Sequence, residues 1–347
     1  MKRQGKSPTM KDVAREAGVA LGTVSKVFNG IPVGKSYREK VEEAAERLGY
    51  SVNSYARGLR ASKTNTVALI LPSLDHIFFG MLADCICDAL TKRDHRMVMA
   101  ITRDDPRAEA RCIQMVRQNK VDGIIGLTYS ADLDVGEDLP YVSIDRFISP
   151  GIPCVSSDNY NGGSMAAEKL VQLGCQRLLF LRIGSHVAGE ADKRGAGFTA
   201  WCQMNGVSCE AMRFDDREGM EPVYRYLSEH FGKDRVDFDG IFCSTDMLAD
   251  RARKFLERQG VHVPRDVQMI GFDGVRDFNA EGDLFCSTIV QPVKQMAETA
   301  VNLLLSGEHS NAPALICLPV HYAPGGTTRE PVTSDGELPF ALAREKQ

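Results

Sequence analysis

The sequence predicts a small all-helical head of helix-turn-helix type joined to an α/β body built from two doubly wound parallel-sheet subdomains. Three observations carry this. Three short helical stretches with apolar stripes fall within the first 50 residues. From Thr66 onward, short apolar runs alternate with amphipathic helical stretches. At 347 residues the chain also exceeds the size at which single cores usually split.

The first helix starts at Thr9, a capping residue type, with Asp12 three positions on near the positive helix end. Val13, Ala14 and Ala17 give it an apolar stripe, and Gly18 can take the left-handed turn that stops it. The second helix lies in "GVALGTVSKVFNG", Gly18 to Gly30. Val24, Val27 and Phe28 recur at helical spacing there, whereas Leu21 and Gly22 open it and Thr23, Ser25, Lys26 and Asn29 are small, hydroxylated or basic. A helix of about two turns is marginal alone, so a neighbour must hold its stripe and its outer face is left for another use. A third helix runs from about Lys35 to Leu48 with Val41, Ala44, Ala45 and Leu48 on one face. Such helices, the first two joined by a glycine turn, read as a helix-turn-helix unit.

In the body the strand-like runs are "TVALIL", "RMVMAI", "VDGIIGL", "YVSID", "RLLFLRI", "DGIFCS" and "DVQMIGF". Short apolar runs separated by helices indicate parallel sheets covered on both faces. That many units over about 260 residues fit two subdomains better than one sheet. The tail after Pro331 is polar and expected to be loosely ordered.

The net charge of −4 hides an asymmetry: residues 1–63 hold 13 Lys+Arg against 6 Asp+Glu, and the remainder 29 against 40. A basic head on an acidic body suits a polyanion partner for the head alone; a solvated basic tail is the plain alternative. No apolar run approaches a membrane span and the N-terminus lacks the apolar core of a signal peptide, so a cytoplasmic protein without membrane contact is expected. The ten cysteines include no CxxC pair, which argues against zinc and disulfides and for buried, inert thiols. No metal or other cofactor is expected. "GAGFTA" formally fits a dinucleotide fingerprint but follows the charged run "EADKR", not a strand, so it is accidental. GxSxG, HExxH and Walker sequences are missing and the seven histidines are scattered, so no constellation supports an enzyme.

The pattern "TMKDVAREAGVALGTVSKVFNG", followed by "REKVEEAAERLGYSVNSYARGLR", resembles the DNA-binding head and hinge of the lactose-repressor (LacI/GalR) family of bacterial transcription regulators. The resemblance continues through "DGII", "VSIDR", "SSDNYNGG", "KRGAGF", "STDM", "VQMIGFDG" and "STIVQPVKQMAETAVNLLLSG", covering roughly residues 9 to 330. It implies a helix-turn-helix domain over 9–50, a hinge helix or linker over 51–63, and an effector-binding core of periplasmic-binding-protein type over 64–330, with 331–347 as the tail. The N-subdomain is expected over about 64–160 and 291–320, and the C-subdomain over about 161–290 and 321–330.

The function so implied is a sequence-specific repressor of transcription, not an enzyme, acting as a homodimer on palindromic double-stranded operator DNA under control of a small effector. On the second helix, Leu21, Gly22 and Lys26 fall at the family's base-reading positions, while Thr23, Ser25 and Asn29 can bond phosphates or base edges. Departures are visible. Ala20 stands where the family's serine cap is usual, a loss of about 1 kcal/mol. Lys26 replaces the commoner arginine and cannot make the bidentate fork to guanine. In the third helix Gly34 and Tyr37 replace the usual Ser and Thr, so a phosphate contact is either lost or supplied by the Tyr37 hydroxyl. The hinge, Asn53 to Ser62, matches through Ala56, Arg57 and Leu59, with Leu59 as the minor-groove wedge. Asn53 completes the expected DNA contacts.

The family's effector cleft falls on Phe78, Asp145, Asp158 and Arg194 and on Phe214, Asp246, Asp273 and Gln291. Carboxylates at strand ends favour a binding cleft, because ligands collect outside the carboxyl ends of parallel strands. Four aspartates against one arginine give the cleft an acidic expectation, which suits the hydroxyls of a neutral sugar or polyol. Thr245 stands where the family usually has asparagine. Two other classes remain from the residues alone: a protein-binding three-helix bundle for the head, and a sugar-binding protein of periplasmic type for the body.

Overall fold

The computed structural model describes residues 8–28, 31–50, 64–103, 105–118, 120–128, 133–136, 139–149, 151–185, 187–307 and 313–329. The chain separates into two compact units, residues 1–64 and 65–347. Asn29, Asn53, Ala56, Arg57 and Leu59, the remainder of the hinge and the tail after Arg329 lie outside the described residues.

In the head, helix α1 (Met10–Ala17) begins where the Asp12 carboxylate accepts from the Thr9 amide at 2.9 Å and from its hydroxyl at 2.7 Å. It stops at Gly18, whose φ of 64° is the left-handed conformation expected of that glycine. Helix α2 (Leu21–Phe28) follows, its first turn closed on the Ala20 carbonyl by the Thr23 and Val24 amides. Helix α3 (Lys35–Leu48) ends on Gly49 at φ 62°. Val13, Val24, Val27, Val41 and Ala44 from the three helices form one small core. Phe28 and Tyr50 close its edge with ring centroids 5.4 Å apart.

The second unit holds two six-stranded sheets. The first has the order β13-β5-β4-β3-β1-β2 and is parallel throughout: β1 (Thr66–Leu71), β2 (Arg96–Ile101), β3 (Gly123–Gly126), β4 (Tyr141–Ile144), β5 (Cys154–Ser157) and β13 (Leu315–Leu318). Strand β1 explains the sandwich. Val67, Leu69 and Leu71 enter a core with α4 (Ile77–Thr91) and α10 (Val293–Ser306). Ala68 and Ile70 enter the opposite core with α5 (Pro106–Arg117). A strand buried on both faces needs apolar residues at both parities.

The second sheet has the order β14-β12-β11-β10-β6-β7. Its strands β6 (Arg177–Gly184), β7 (Ser208–Asp215), β10 (Gly240–Cys243), β11 (Gln268–Asp273) and β12 (Ser287–Val290) are parallel, and β14 (His321–Ala323) is antiparallel to β12. Helices α8 (Glu221–His230) and α9 (Asp246–Arg258) cover one face, α6 (Asn159–Gln172) and α7 (Lys193–Met204) the other. A small hairpin of β8 (Phe231–Gly232) with β9 (Arg235–Val236) completes the unit.

The chain passes between the sheets three times. It goes from β5 into α6, from β12 into α10, which packs under the first sheet, and from β13 to β14. Among the described residues no helix is long and apolar enough to cross a membrane. Seven of the ten cysteines are buried, and burial pushes the Cys85 and Cys175 thiols up to about 11. Cys87 and Cys209 are half-buried and Cys317 is exposed, so most of the thiols are buried, as expected.

Helices α6 and α7 touch through glycines. A Cβ on Gly163 would overlap the Arg194 carbonyl oxygen, and one on Gly197 would overlap the Tyr160 carbonyl oxygen. This approach fixes the start of α7, and with it the Arg194 backbone. Gly197→Ala should therefore lower stability by about 1–3 kcal/mol through overpacking. Gly80→Ala, on the exposed side of the first turn of α4 with nothing within 4 Å of the new methyl, should raise it by up to ~1 kcal/mol. Urea midpoints of the two variants check the pair, and a Gly197→Ala midpoint at or above the wild-type one would refute the close-packing account.

Candidate functional site

Helix α2 turns Val24 and Val27 inward and leaves Leu21, Gly22 and Lys26 facing water, with Leu21 44% exposed. Thr23 and Ser25 are half-buried beside them. Tyr37, in the first turn of α3, is 55% exposed. The outward face is thus small at its start and basic at Lys26, which allows close approach to a polyanion.

In the second unit a cavity of about 580 Å³ lies between the carboxyl ends of the two sheets, within the ~300–1,000 Å³ range of small-molecule sites. The first sheet contributes Asp75, His76 and Phe78 after β1, Arg103 after β2 and Asp145 after β4. The second contributes Arg182 at the end of β6, Arg194 on α7, Ser244 after β10, Arg251 on α9, and Asp273 at the end of β11. Gln291 enters from the crossing after β12.

Three cavity residues hold positive φ without being glycine: Arg103 at 51°, Asp145 at 52° and Asp273 at 127°. Such conformations cost about 1–3 kcal/mol each and persist where the surroundings impose them. Here each sits just past or at a strand end, in the cavity lining.

A relay of hydrogen bonds joins both walls through the crossing segments. Ser156 Oγ donates to Asp145 Oδ1 at 2.8 Å, and Asn159 Nδ2 donates to Ser156 Oγ at 3.0 Å. Arg194 Nε donates to Asn159 Oδ1 at 2.7 Å, and its Nη1 donates to the Ser244 carbonyl and lies 3.6 Å from Asp273 Oδ1. Gln291 Nε2 donates to the same Asp273 oxygen at 2.7 Å, while Ser157 Oγ donates to Gln291 Oε1 at 2.7 Å. The Arg194 guanidinium also stacks 3.6 Å over the Phe272 ring.

Three buried polar atoms in the lining have no hydrogen-bond partner: His76 Nδ1, Ser244 Oγ and Asp273 Oδ2. Orphaned groups of this kind are costly unless a ligand or water meets them. Burial pushes Asp273 from 3.8 up to about 7, against the pull of Arg194 and the Gln291 hydrogen bond. Burial also raises Asp145. His76 is driven down to about 4, first by burial and then by Arg194 and Arg251. It is therefore neutral at pH 7, and its 3.9 Å approach to Asp273 is no ion pair there.

Of the eight expected cleft residues, Phe78, Asp145, Arg194, Asp273 and Gln291 line the cavity, and three do not. Asp158 caps α6, accepting from the Asn161 amide at 3.1 Å. Phe214 turns with Met212 into the core under α8, its ring 6.0 Å from Tyr226, because alternate residues of β7 face opposite sides. Asp246 is fully buried and accepts from the Gly274 and Val275 amides at 2.8 and 2.7 Å, bracing the turn after β11. Thr245 caps α9 through its hydroxyl, which accepts from the Leu248 amide.

The acidic expectation also fails. Arg103, Arg182, Arg194 and Arg251 line the cavity beside Asp75, Asp145, Asp216 and Asp273, a balanced set. Arg182 is held at 2.8 Å by Asp192. Ser244, His76 and three of the arginines escaped the sequence reading. A smaller cavity of about 290 Å³ shares only Asp273 and Gln291 with this one and is otherwise walled largely by the start of α10. Among the described residues no group of three His, Cys, Asp or Glu could hold a metal ion.

The raised Asp273 has a thermodynamic consequence. The folded state binds its proton more tightly than the unfolded state, so this group's contribution to stability falls as pH rises from about 4 through about 7. Asp273→Asn removes the penalty. Its stability relative to wild type should climb across that window and level off above it, as read from urea midpoints at successive pH values. A difference independent of pH would show Asp273 to be an ordinary carboxylate.

Comparison with known proteins agrees with this architecture. Residues 9–53 match the model described as bacterial regulatory proteins, lacI family, and residues 167–328 match the periplasmic binding protein-like domain. The sucrose operon repressor of Streptococcus mutans is 31% identical over 319 residues, covering 90% of this chain and 96% of that protein. The ribose operon repressor of Bacillus subtilis is 31% identical over 331 residues, covering 93% and 99%. Among solved structures, a lac repressor dimer bound to operator and an anti-inducer superposes with a TM-score of 0.77 at 23% identity, covering 93% of this chain and 99% of that one. A regulator from Alkaliphilus metalliredigens complexed with D-xylulofuranose gives 0.63 at 25% identity, covering 77% and 100%. At this identity and coverage, with the head matched separately from the body, the chain belongs to the lacI family of bacterial regulatory proteins.

Proposed function

We propose that this protein is a cytoplasmic transcriptional repressor whose affinity for a palindromic operator is set by a sugar bound between the two core subdomains. The observation that carries the reading is the polar cavity at the strand ends, with its three orphaned buried atoms, on a chain that also bears a basic helix-turn-helix head. The relatives are repressors of sucrose and ribose operons, which supports a sugar in that cavity and repression as the outcome. A catalytic role has no support in the relatives, which are regulators.

On the head, Leu21, Gly22 and Lys26 are the residues assigned to base edges, with Thr23, Ser25 and Tyr37 on phosphates. Asn29, Asn53, Ala56, Arg57 and Leu59 are assigned to DNA by the family resemblance. A homodimer follows from the half-site logic of helix-turn-helix proteins. The edge strand β2 supports it: Val98, Met99 and Ile101 are each 37–40% exposed, an apolar edge of the kind that pairs with another surface.

Deleting residues 1–63 should abolish operator binding. For the full chain, log affinity should fall linearly with log salt at about −0.9 per phosphate neutralised. Lys26→Ala should reduce discrimination at one base position by about 1–3 kcal/mol. Fluorescence anisotropy on operator and scrambled duplexes across a salt series measures all three. Operator binding retained by the truncated body would rule the head out as the DNA-binding element.

A further inference from the structure

The cavity reading leaves two arginines unused. Arg103 and Arg251 line the cavity from opposite subdomains, both exposed, and no carboxylate among the described residues lies within ion-pair distance of either. Arg182 and Arg194, by contrast, are committed to Asp192 and to the relay. Arg251 sits three and four residues after Leu248 and Met247, which also line the cavity, so it shares their helix face. Helical side chains lean toward the helix N-terminus, which places its guanidinium over the first turn of α9.

That turn has further donors. Ser244, immediately before the cap Thr245, is fully buried with an unpartnered hydroxyl in the cavity lining. The acidic residue of the first turn, Asp246, is turned away onto the Gly274 and Val275 amides. Helix α4 also begins in the cavity lining, at His76 to Phe78, with no acidic residue in its first turn, whereas α7, which begins beside Arg194, has Asp192 at its N-cap. The starts of α4 and α9 therefore both present helix amides to one cavity. Burial pushes its carboxylates Asp145 and Asp273 toward their neutral forms. Asp75 and Asp216 remain as exposed carboxylates at the mouth, where solvent weakens their field.

We propose that the ligand of this cavity is an anionic sugar derivative, a sugar acid or a sugar phosphate. Its oxyanion is taken by Ser244, the first turn of α9, Arg251 and Arg103, and its hydroxyls meet Asp145, Asp273 and Gln291. This rests on the effector reading above and narrows it from sugars in general to those bearing a carboxylate or phosphate. Because Arg103 and Arg251 belong to different subdomains, one oxyanion held by both draws the two walls together.

The test uses the purified full chain in three ligand arms: gluconate and glucuronate; glucose 6-phosphate and ribose 5-phosphate; and neutral sucrose and ribose. Inorganic phosphate and sodium chloride of equal ionic strength serve as controls. Calorimetry and melting temperatures are read for wild type, Arg251→Gln, Arg103→Gln and Arg251→Lys, with operator binding followed in parallel. Expected is saturable binding in one of the two anionic arms, weakened about tenfold or more by either Gln variant and partly restored by Arg251→Lys. The responding arm identifies carboxylate or phosphate. The proposal is overturned if no sugar anion stabilises the chain beyond the controls, or if binding survives both Gln substitutions undiminished. If sucrose or ribose controls operator binding equally in wild type and variants, the anion assignment falls while the proposed function stands. If the chain binds no operator in any state, the proposed function itself falls.

Discussion

Arg194 is 4% exposed, and a guanidinium cannot shed its proton on burial as a lysine can. Taking such a charge out of water costs several kcal/mol unless every donor is met. The protein meets it with Asn159 from the first crossing, the Ser244 carbonyl at the start of α9, Asp273 at the end of β11, and the face of Phe272. These partners come from α6, β10 and β11, so satisfying one cation fixes three elements around the start of α7. The tight α6–α7 crossing through Gly163 and Gly197 holds the guanidinium's own backbone in place.

The same relay makes the cavity a device rather than a hole. Asp145 on one wall and Asp273 on the other are joined through Ser156, Asn159, Arg194 and back through Gln291 and Ser157. Asn159 and Gln291 belong to segments that carry the chain between subdomains. A change in how the walls sit must alter these bonds. A ligand that favours one arrangement shifts the balance by its differential affinity and no more. The unpartnered atoms of His76, Ser244 and Asp273 are groups a ligand can satisfy in one arrangement and not the other.

Much of this was legible in the residues, and the misses have physical causes. The head was readable almost to the residue, because its helices are short and α1 and α3 end on Gly18 and Gly49, which take positive φ. In the body, β1, β3, β4, β10 and β11 announce themselves as runs apolar at both parities. Edge strand β7, "SCEAMRFD", alternates polar and apolar residues with half its length exposed and has no such run, and β5 carries two serines spent on the relay. Asp145, Arg194, Asp273 and Gln291 came from the family resemblance, and for Asp145 and Asp273 the strand-end position pointed the same way. Asp246 also stands at a strand–helix junction, but the direction of its side chain depends on a turn 27 residues later, at Asp273 to Val275. Arg251 looks in sequence like any solvated charge on a helix, and only the placement of α9 brings it to the cavity.

The relay stands or falls on Asn159, which is buried, does not line the cavity, and links Arg194 to the first crossing. The deciding measurement is operator affinity of wild type and Asn159→Ala, each with and without the small molecule to which the wild-type protein responds. A wild-type response of about 5–150-fold is in the usual range of allosteric coupling. In Asn159→Ala we expect operator binding without ligand to persist and the response to collapse toward unity. A variant that retains the full response would show that the subdomains are coupled by some other path, and that the Arg194 network serves only to hold the fold together.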